Sequence, residues 1–136
     1  MTATGLTYDT GALVAAEHDD RLLWSLHRAA LTRGLPPVVP AGVLAEGWRG
    51  GPQATLSRFL KGCDVEGLSE ERARDVGALA ARSRHDDIVD VSVVEGAIRR
   101  RHAVVTSNPT HIRAVANAAG TRLEIPGLLT QGEVLP

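Results

Sequence analysis

The sequence predicts one α/β domain in which a parallel β-sheet is covered by helices on both faces. Three observations lead there. Short apolar runs alternate along the chain with longer stretches whose apolar residues recur at helical spacing, the pattern of strand–helix–strand units. The strand-like runs are apolar at nearly every position, as expected of strands buried on both faces. The 136 residues, 43% of them hydrophobic, suit one domain with a substantial core, and no linker is long enough to divide them.

Leu6-Thr7-Tyr8 reads as a first strand that stops at Asp9, and Thr10-Gly11 opens a helix carrying Ala12, Leu13, Ala15 and Ala16. Asp20 to Thr32 forms a second helix, with Leu22, Leu23, Leu26 and Ala29 or Ala30 on one stripe and Gly34 ending it. Pro37-Val38-Val39 is long enough only for a strand, and Pro40 stands at the first turn of a helix from Ala41 to Arg49. Gly50-Gly51-Pro52 punctuates before a helix from Gln53 to Leu60. Cys63 to Leu68 makes a third strand, and Ser69-Glu70-Glu71-Arg72 supplies the cap and acidic first turn of a helix to about Arg82. Asp86 or Asp87 starts the next helix, which extends to about Arg101. Ala103-Val104-Val105 is a buried strand, Pro109 starts a last helix, and Leu123-Glu124-Ile125 closes with a short strand.

The single cysteine, Cys63, excludes an intramolecular disulfide and any cysteine-cluster zinc site, which points to a cytoplasmic protein. No apolar run reaches transmembrane length, and the Met1-Thr2-Ala3-Thr4 start lacks the pattern of a secretory leader. The net charge of −1 conceals a run of three arginines, Arg99 to Arg101. That run either contacts phosphate or complements the dipole at a helix end, and the two roles are compatible. Neither a Walker A loop nor a G-x-G-x-x-G turn is present, and the five histidines show no metal-ligand spacing.

Four acids, Asp9, Glu46, Asp87 and Asp90, lie where an apolar strand or helix turns polar. In a parallel sheet Asp9 and the Thr106-Ser107-Asn108 segment emerge on one edge, the edge where such folds place their sites. Asp87 and Asp90 are three apart at a helix start, which puts them on one face. Two carboxylates about 4 Å apart repel by roughly 4 kcal/mol at an effective dielectric near 20. Oxygen ligands in such a cluster suit Mg²⁺ or Mn²⁺.

The segments Tyr8-Asp9-Thr10-Gly11-Ala12-Leu13-Val14, Pro40-Ala41-Gly42-Val43-Leu44-Ala45-Glu46, Asp87-Ile88-Val89-Asp90-Val91 and Val104-Val105-Thr106-Ser107-Asn108-Pro109 together resemble the PIN domain. Within it they are similar to the ribonuclease toxins of type II toxin–antitoxin pairs, the VapC family. The resemblance covers about residues 6 to 126. It implies a three-layer α/β/α fold with a mostly parallel sheet over residues 1–126, with 127–136 as a tail. It also implies a metal-dependent endoribonuclease with Asp9, Glu46 and Asp90 in the main acidic positions. Asp9, Asp90 and Asp87 would hold Mg²⁺ or Mn²⁺, Thr106, Ser107 and Asn108 would support them, and Arg99, Arg100 and Arg101 would grip RNA. A homodimer and a cognate antitoxin are the implied partners. Where the family usually carries an acid two residues past the threonine, this chain has Asn108, which implies one metal position rather than two.

Each residue also has a plainer role. Asp9 and Asp87 suit helix capping, Glu46 a solvated helix face, Asp90 the first-turn dipole, and Thr106 with Ser107 a turn. Asn108 therefore leaves a second reading, a PIN-like binding module with weakened catalysis. A phosphatase with Asp9 as nucleophile is disfavoured, because it needs a second Asp two residues on, where Gly11 stands.

Overall fold

A computed structural model describes residues 3–126; the tail expected over 127–136 lies outside the described residues. The chain runs β1 (Gly5–Tyr8), α1 (Thr10–Glu17), α2 (Arg21–Thr32), β2 (Val38–Pro40), α3 (Ala41–Gly47), α4 (Ala54–Leu60), β3 (Asp64–Glu66), α5 (Glu70–Ser83), α6 (Ile88–Arg100), β4 (His102–Val105) and α7 (Pro109–Ala118). The four strands form one all-parallel sheet in the order β3-β2-β1-β4, the α/β architecture the sequence predicts. Leu6, Thr7, Tyr8, Val39, Val104 and Val105 are all buried, because helices lie on both faces. On one side α1 packs against α2, α3 and α4; on the other α5, α6 and α7 pack together, with α6 lying along β1, β2 and β4.

The strand order fixes where a site can form. From β1 the chain steps outward to β2 and β3, then crosses back to the far side of β1 as β4. The direction of winding therefore reverses between β1 and β4, and their carboxyl ends flank the crevice that such a switch opens. Tyr8 pairs with Val105 in the parallel register, and the Asp9 amide still donates to the Val105 carbonyl at 3.2 Å.

Local chemistry explains most helix boundaries. Asp20 accepts from the Leu23 amide at 2.9 Å and Ser69 from that of Arg72 at 3.1 Å, so both cap their helices. Helix α6 ends at Arg101, whose φ of 60° closes the helix in the left-handed region, and His102 joins β4. Between α1, α2 and α4 the core is aromatic. Phe59 stacks on His27 at 4.0 Å between ring centroids and meets Tyr8 at 5.1 Å and Trp24 at 5.0 Å. Within this cluster the Tyr8 hydroxyl bonds His27 Nδ1 at 2.8 Å.

Three expectations need correction. Leu123-Glu124-Ile125 does not form a strand; it contributes one bond to the sheet edge, the Glu124 carbonyl accepting from the Val104 amide at 3.0 Å. The third strand covers only Asp64–Glu66, because Gly67 and Leu68 turn away toward the Ser69 cap. Helix α3 ends at Gly47, two residues early, as Trp48 takes an extended ψ of 132°. The Gln53 side chain secures that exit, accepting from the Arg49 amide at 2.7 Å and donating to the Gly47 carbonyl at 3.0 Å.

Candidate metal centre at the carboxyl end of the sheet

Asp9 is the first residue beyond β1 and is only 6% exposed. Its Oδ1 accepts from the Ala12 amide at 3.0 Å, so the residue caps α1 and also projects a carboxylate into the β1–β4 crevice. Burial pushes its pKa up to about 6, and the negative charge of Asp90 adds to that rise. Hydrogen bonds from the Thr106 hydroxyl and the Ala12 amide work in the opposite direction without cancelling it. Among the described residues no arginine or lysine forms an ion pair with Asp9, Asp90 or Glu46. A buried carboxylate beside a second acid, with no cation paired to it, fits a divalent ion.

The segment after β4 is built around the same carboxylate. Thr106 is buried, and its Oγ1 accepts from the Asn108 amide at 2.8 Å, which holds the turn while the hydroxyl serves Asp9. Ser107 lies against Gly11: a Cβ on that glycine would stand 2.1 Å from Ser107 Oγ and 3.2 Å from its backbone nitrogen. Only glycine lets the β4 turn pack this closely on the start of α1.

Glu46 is exposed on α3 and accepts a hydrogen bond from the Thr10 hydroxyl, the residue next to Asp9. Helix packing thus carries it to the mouth of the crevice. Asp90, in the first turn of α6, is 25% exposed at its side chain, and its Oδ2 lies 3.2 Å from His85 Nε2 and 4.0 Å from His111 Nδ1. Asp87 has its Oδ1 committed to the amides of Val89 at 3.1 Å and Asp90 at 3.2 Å, so the structure gives it the capping role. Asn108 precedes α7 without capping it; its side-chain nitrogen lies 2.9 Å from His111 Nδ1.

His85 and His111 are residues that sequence reasoning passed over. They stand 26 positions apart and on different elements, so no spacing rule for metal ligands sees them. A topological signal was there: the end of β4 that brings Thr106 to Asp9 also brings the first turn of α7, and with it His111, to the same edge.

The arginine run lies away from this centre. Ten residues of α6 separate Asp90 from Arg100, about 15 Å at the α-helical rise. Arg99 Nη2 bonds Glu66 Oε1 at 2.8 Å and its Nε bonds Glu95 Oε2 at 3.1 Å, while Arg100 Nη1 reaches Glu66 Oε1 at 2.6 Å. Arg100 Nη2 also donates to Thr7 Oγ1 at 3.1 Å, and a Cβ at Gly96 would sit 2.5 Å from that same nitrogen. These two arginines therefore clamp β3 and β1 to α6. Bonds from Arg99, then Arg100, hold the Glu66 carboxyl down at about 2. Replacing Glu66 by Gln is expected to cost about 1–2 kcal/mol in urea denaturation, a modest figure because water screens the half-exposed carboxylate. The wild-type advantage should be present above pH 4.5, its ordinary value, and fade as pH falls toward 2. A difference that does not fade on acidification would detach the effect from this charge.

Comparison with protein-family models returns no match, and comparison with curated proteins returns none either. Among the described residues no helix is long and apolar enough to cross a membrane.

Proposed function

We propose that this chain is a metal-dependent endoribonuclease. The observation that carries the reading is Asp9, a buried carboxylate at the switch point of a parallel sheet. It lies within electrostatic reach of Asp90, and among the described residues it has no basic partner. Asp9 and Asp90 would hold Mg²⁺ or Mn²⁺. When bound, such an ion supplies Lewis-acid polarisation of a phosphate oxygen and a water of lowered pKa. Thr106 and the Ala12 amide fix the Asp9 carboxylate, and Glu46, anchored by Thr10, stands at the mouth to orient a water and accept its proton.

Arginines outside the Glu66-bound pair Arg99 and Arg100 are placed to grip the nucleic-acid backbone. A groove of about 520 Å³ is lined by Arg21, Arg28 and Arg58 with Trp24, and Arg58 lies over the Trp24 ring at 5.1 Å. None of these three arginines pairs with a carboxylate among the described residues. A second groove, of about 510 Å³, has Thr10, Gly11 and Ser107 in its lining, and its Asp20 follows Asp19 of the first in the chain. Phosphates held by the arginines supply the attraction that a net charge of −1 does not. The choice of RNA, the toxin role, the antitoxin and the homodimer rest on the resemblance of the four segments to the PIN-domain toxins.

The purified chain should cleave single-stranded RNA with Mg²⁺ or Mn²⁺, stop in EDTA, and recover when metal is restored. Cleavage that persists in EDTA would sink the proposal. RNA binding without cleavage would favour the second reading, a binding module weakened by Asn108.

A further inference from the structure

Three side chains from three separate elements converge beside the acidic crevice. His85 comes from the turn after α5, Asp90 from the first turn of α6, and His111 from the first turn of α7. One potential ligand atom from each lies within 4.8 Å of the other two, and both imidazoles approach the same atom, Asp90 Oδ2, at 3.2 and 4.0 Å. The rings meet edge to face with centroids 5.5 Å apart. We propose that His85, Asp90 and His111 form a second metal position, one that takes a nitrogen-preferring divalent transition ion such as Zn²⁺ or Co²⁺ in preference to Mg²⁺.

The geometry is close to what such an ion needs. Metal–nitrogen and metal–oxygen bonds of about 2.0–2.2 Å in a tetrahedral site set ligand atoms roughly 3.3 Å apart. The His85–Asp90 separation already meets this, and His111 needs to close by under 1 Å toward Asp90. His111 has the room to do so, with its side chain 56% exposed. Asn108 Nδ2 sits 2.9 Å from His111 Nδ1, so as placed the amide N–H occupies the lone pair that the ion would take, and the amide has to turn away for the metal to bind.

Two imidazoles with one carboxylate differ in kind from the oxygen set around Asp9. Imidazole suits transition ions such as Zn²⁺ and Ni²⁺, whereas Mg²⁺ demands oxygen and holds its waters. The position restores what Asn108 takes from the acidic set, using different ligands. It rests on the proposed metal centre in sharing Asp90, yet its histidines are separate from Asp9, and the two fail separately.

The test is a Co²⁺ titration of the whole chain, followed by the visible d–d absorption and by calorimetry, with Mg²⁺ titrated in parallel. His85→Asn and His111→Asn should each weaken Co²⁺ binding about tenfold or more and change Mg²⁺ affinity less than twofold. Asp9→Asn should lose Mg²⁺ and keep the Co²⁺ spectrum. Imidazole proton resonances of His85 and His111 in the wild type should shift on adding Zn²⁺, a readout that needs no variant. Unchanged Co²⁺ binding in both histidine variants, or unmoved imidazole signals, would overturn the second position. Loss of Co²⁺ in Asp9→Asn alone would assign the ion to the carboxylates and overturn it too. Retention of Mg²⁺ by Asp9→Asn would instead refute the ribonuclease reading and leave the histidine site standing.

Discussion

Asp9→Asn is expected to lower Mg²⁺-dependent cleavage by roughly a hundredfold or more while leaving the apo fold as stable as wild type, or more so. The two effects have opposite signs because they come from one buried charge. Folding raises the Asp9 pKa from 3.8 to about 6, chiefly through burial, so the folded state binds that proton more tightly than the unfolded one. The stabilisation this gives is complete below about pH 4 and is lost as pH rises through about 6. At pH 8 the ionised carboxylate costs the apo protein on the order of 3 kcal/mol relative to acid. Asparagine keeps an oxygen for the Ala12 amide and removes the charge, so its stability should not decline over that window. Thermal melts in EDTA from pH 4 to 8 check this half, and calorimetry with Mg²⁺ checks the other. A variant that still binds Mg²⁺ and still cleaves would end the assignment; matching pH profiles would show that the charge is solvated after all.

Parts of this centre were legible in the sequence for a physical reason: strand ends are readable. Tyr8 gives way to Asp9, and Val105 to Thr106, at the points where buried apolar runs meet polar residues. A parallel sheet then puts both on one edge whatever the details of packing. Glu46 was legible as an acid on α3, but its link to Thr10 was not, because a contact across 36 positions depends on how α3 leans on α1. The same distance problem hid the partners of Arg99 and Arg100. Their charges are obvious, whereas Glu66, 33 and 34 positions away, becomes a neighbour only once β3 lies beside β2.

The expected strand at Leu123-Glu124-Ile125 illustrates a different limit. Its composition suits a strand, and β4 does present an edge to it, but one hydrogen bond forms where a strand needs a ladder. Propensity states what a segment tolerates; the neighbours decide whether it pairs. His85 and His111 illustrate a third limit, since ligand-spacing rules describe sites built within one element. Here three elements each supply one group.

Phe59→Ala is the substitution expected to cost the fold most, about 3–5 kcal/mol. Phe59 is fully buried on α4, stacked on His27 and flanked by Tyr8 and Trp24. Truncation would open a cavity among rings that cannot collapse into it. Tyr8 is held by its bond to His27, and Trp24 by its indole nitrogen donating to the Ala16 carbonyl at 3.0 Å. The cluster joins α2 and α4 to β1, and Arg58 next to Phe59 lies over Trp24, so the cavity also loosens one wall of the arginine groove. RNA binding should therefore weaken more than Mg²⁺ binding in the fraction that stays folded, because Asp9 is held by the Ala12 amide and Thr106, neither of them part of the aromatic cluster. Phe59→Leu should cost less than half as much, since most of the volume remains, and Ile88→Ala, at a side chain 49% exposed, should cost well under 1 kcal/mol. Urea denaturation of the three variants orders them directly. If Phe59→Ala costs no more than Ile88→Ala, the aromatic cluster is not the core that holds the helices on this face of the sheet.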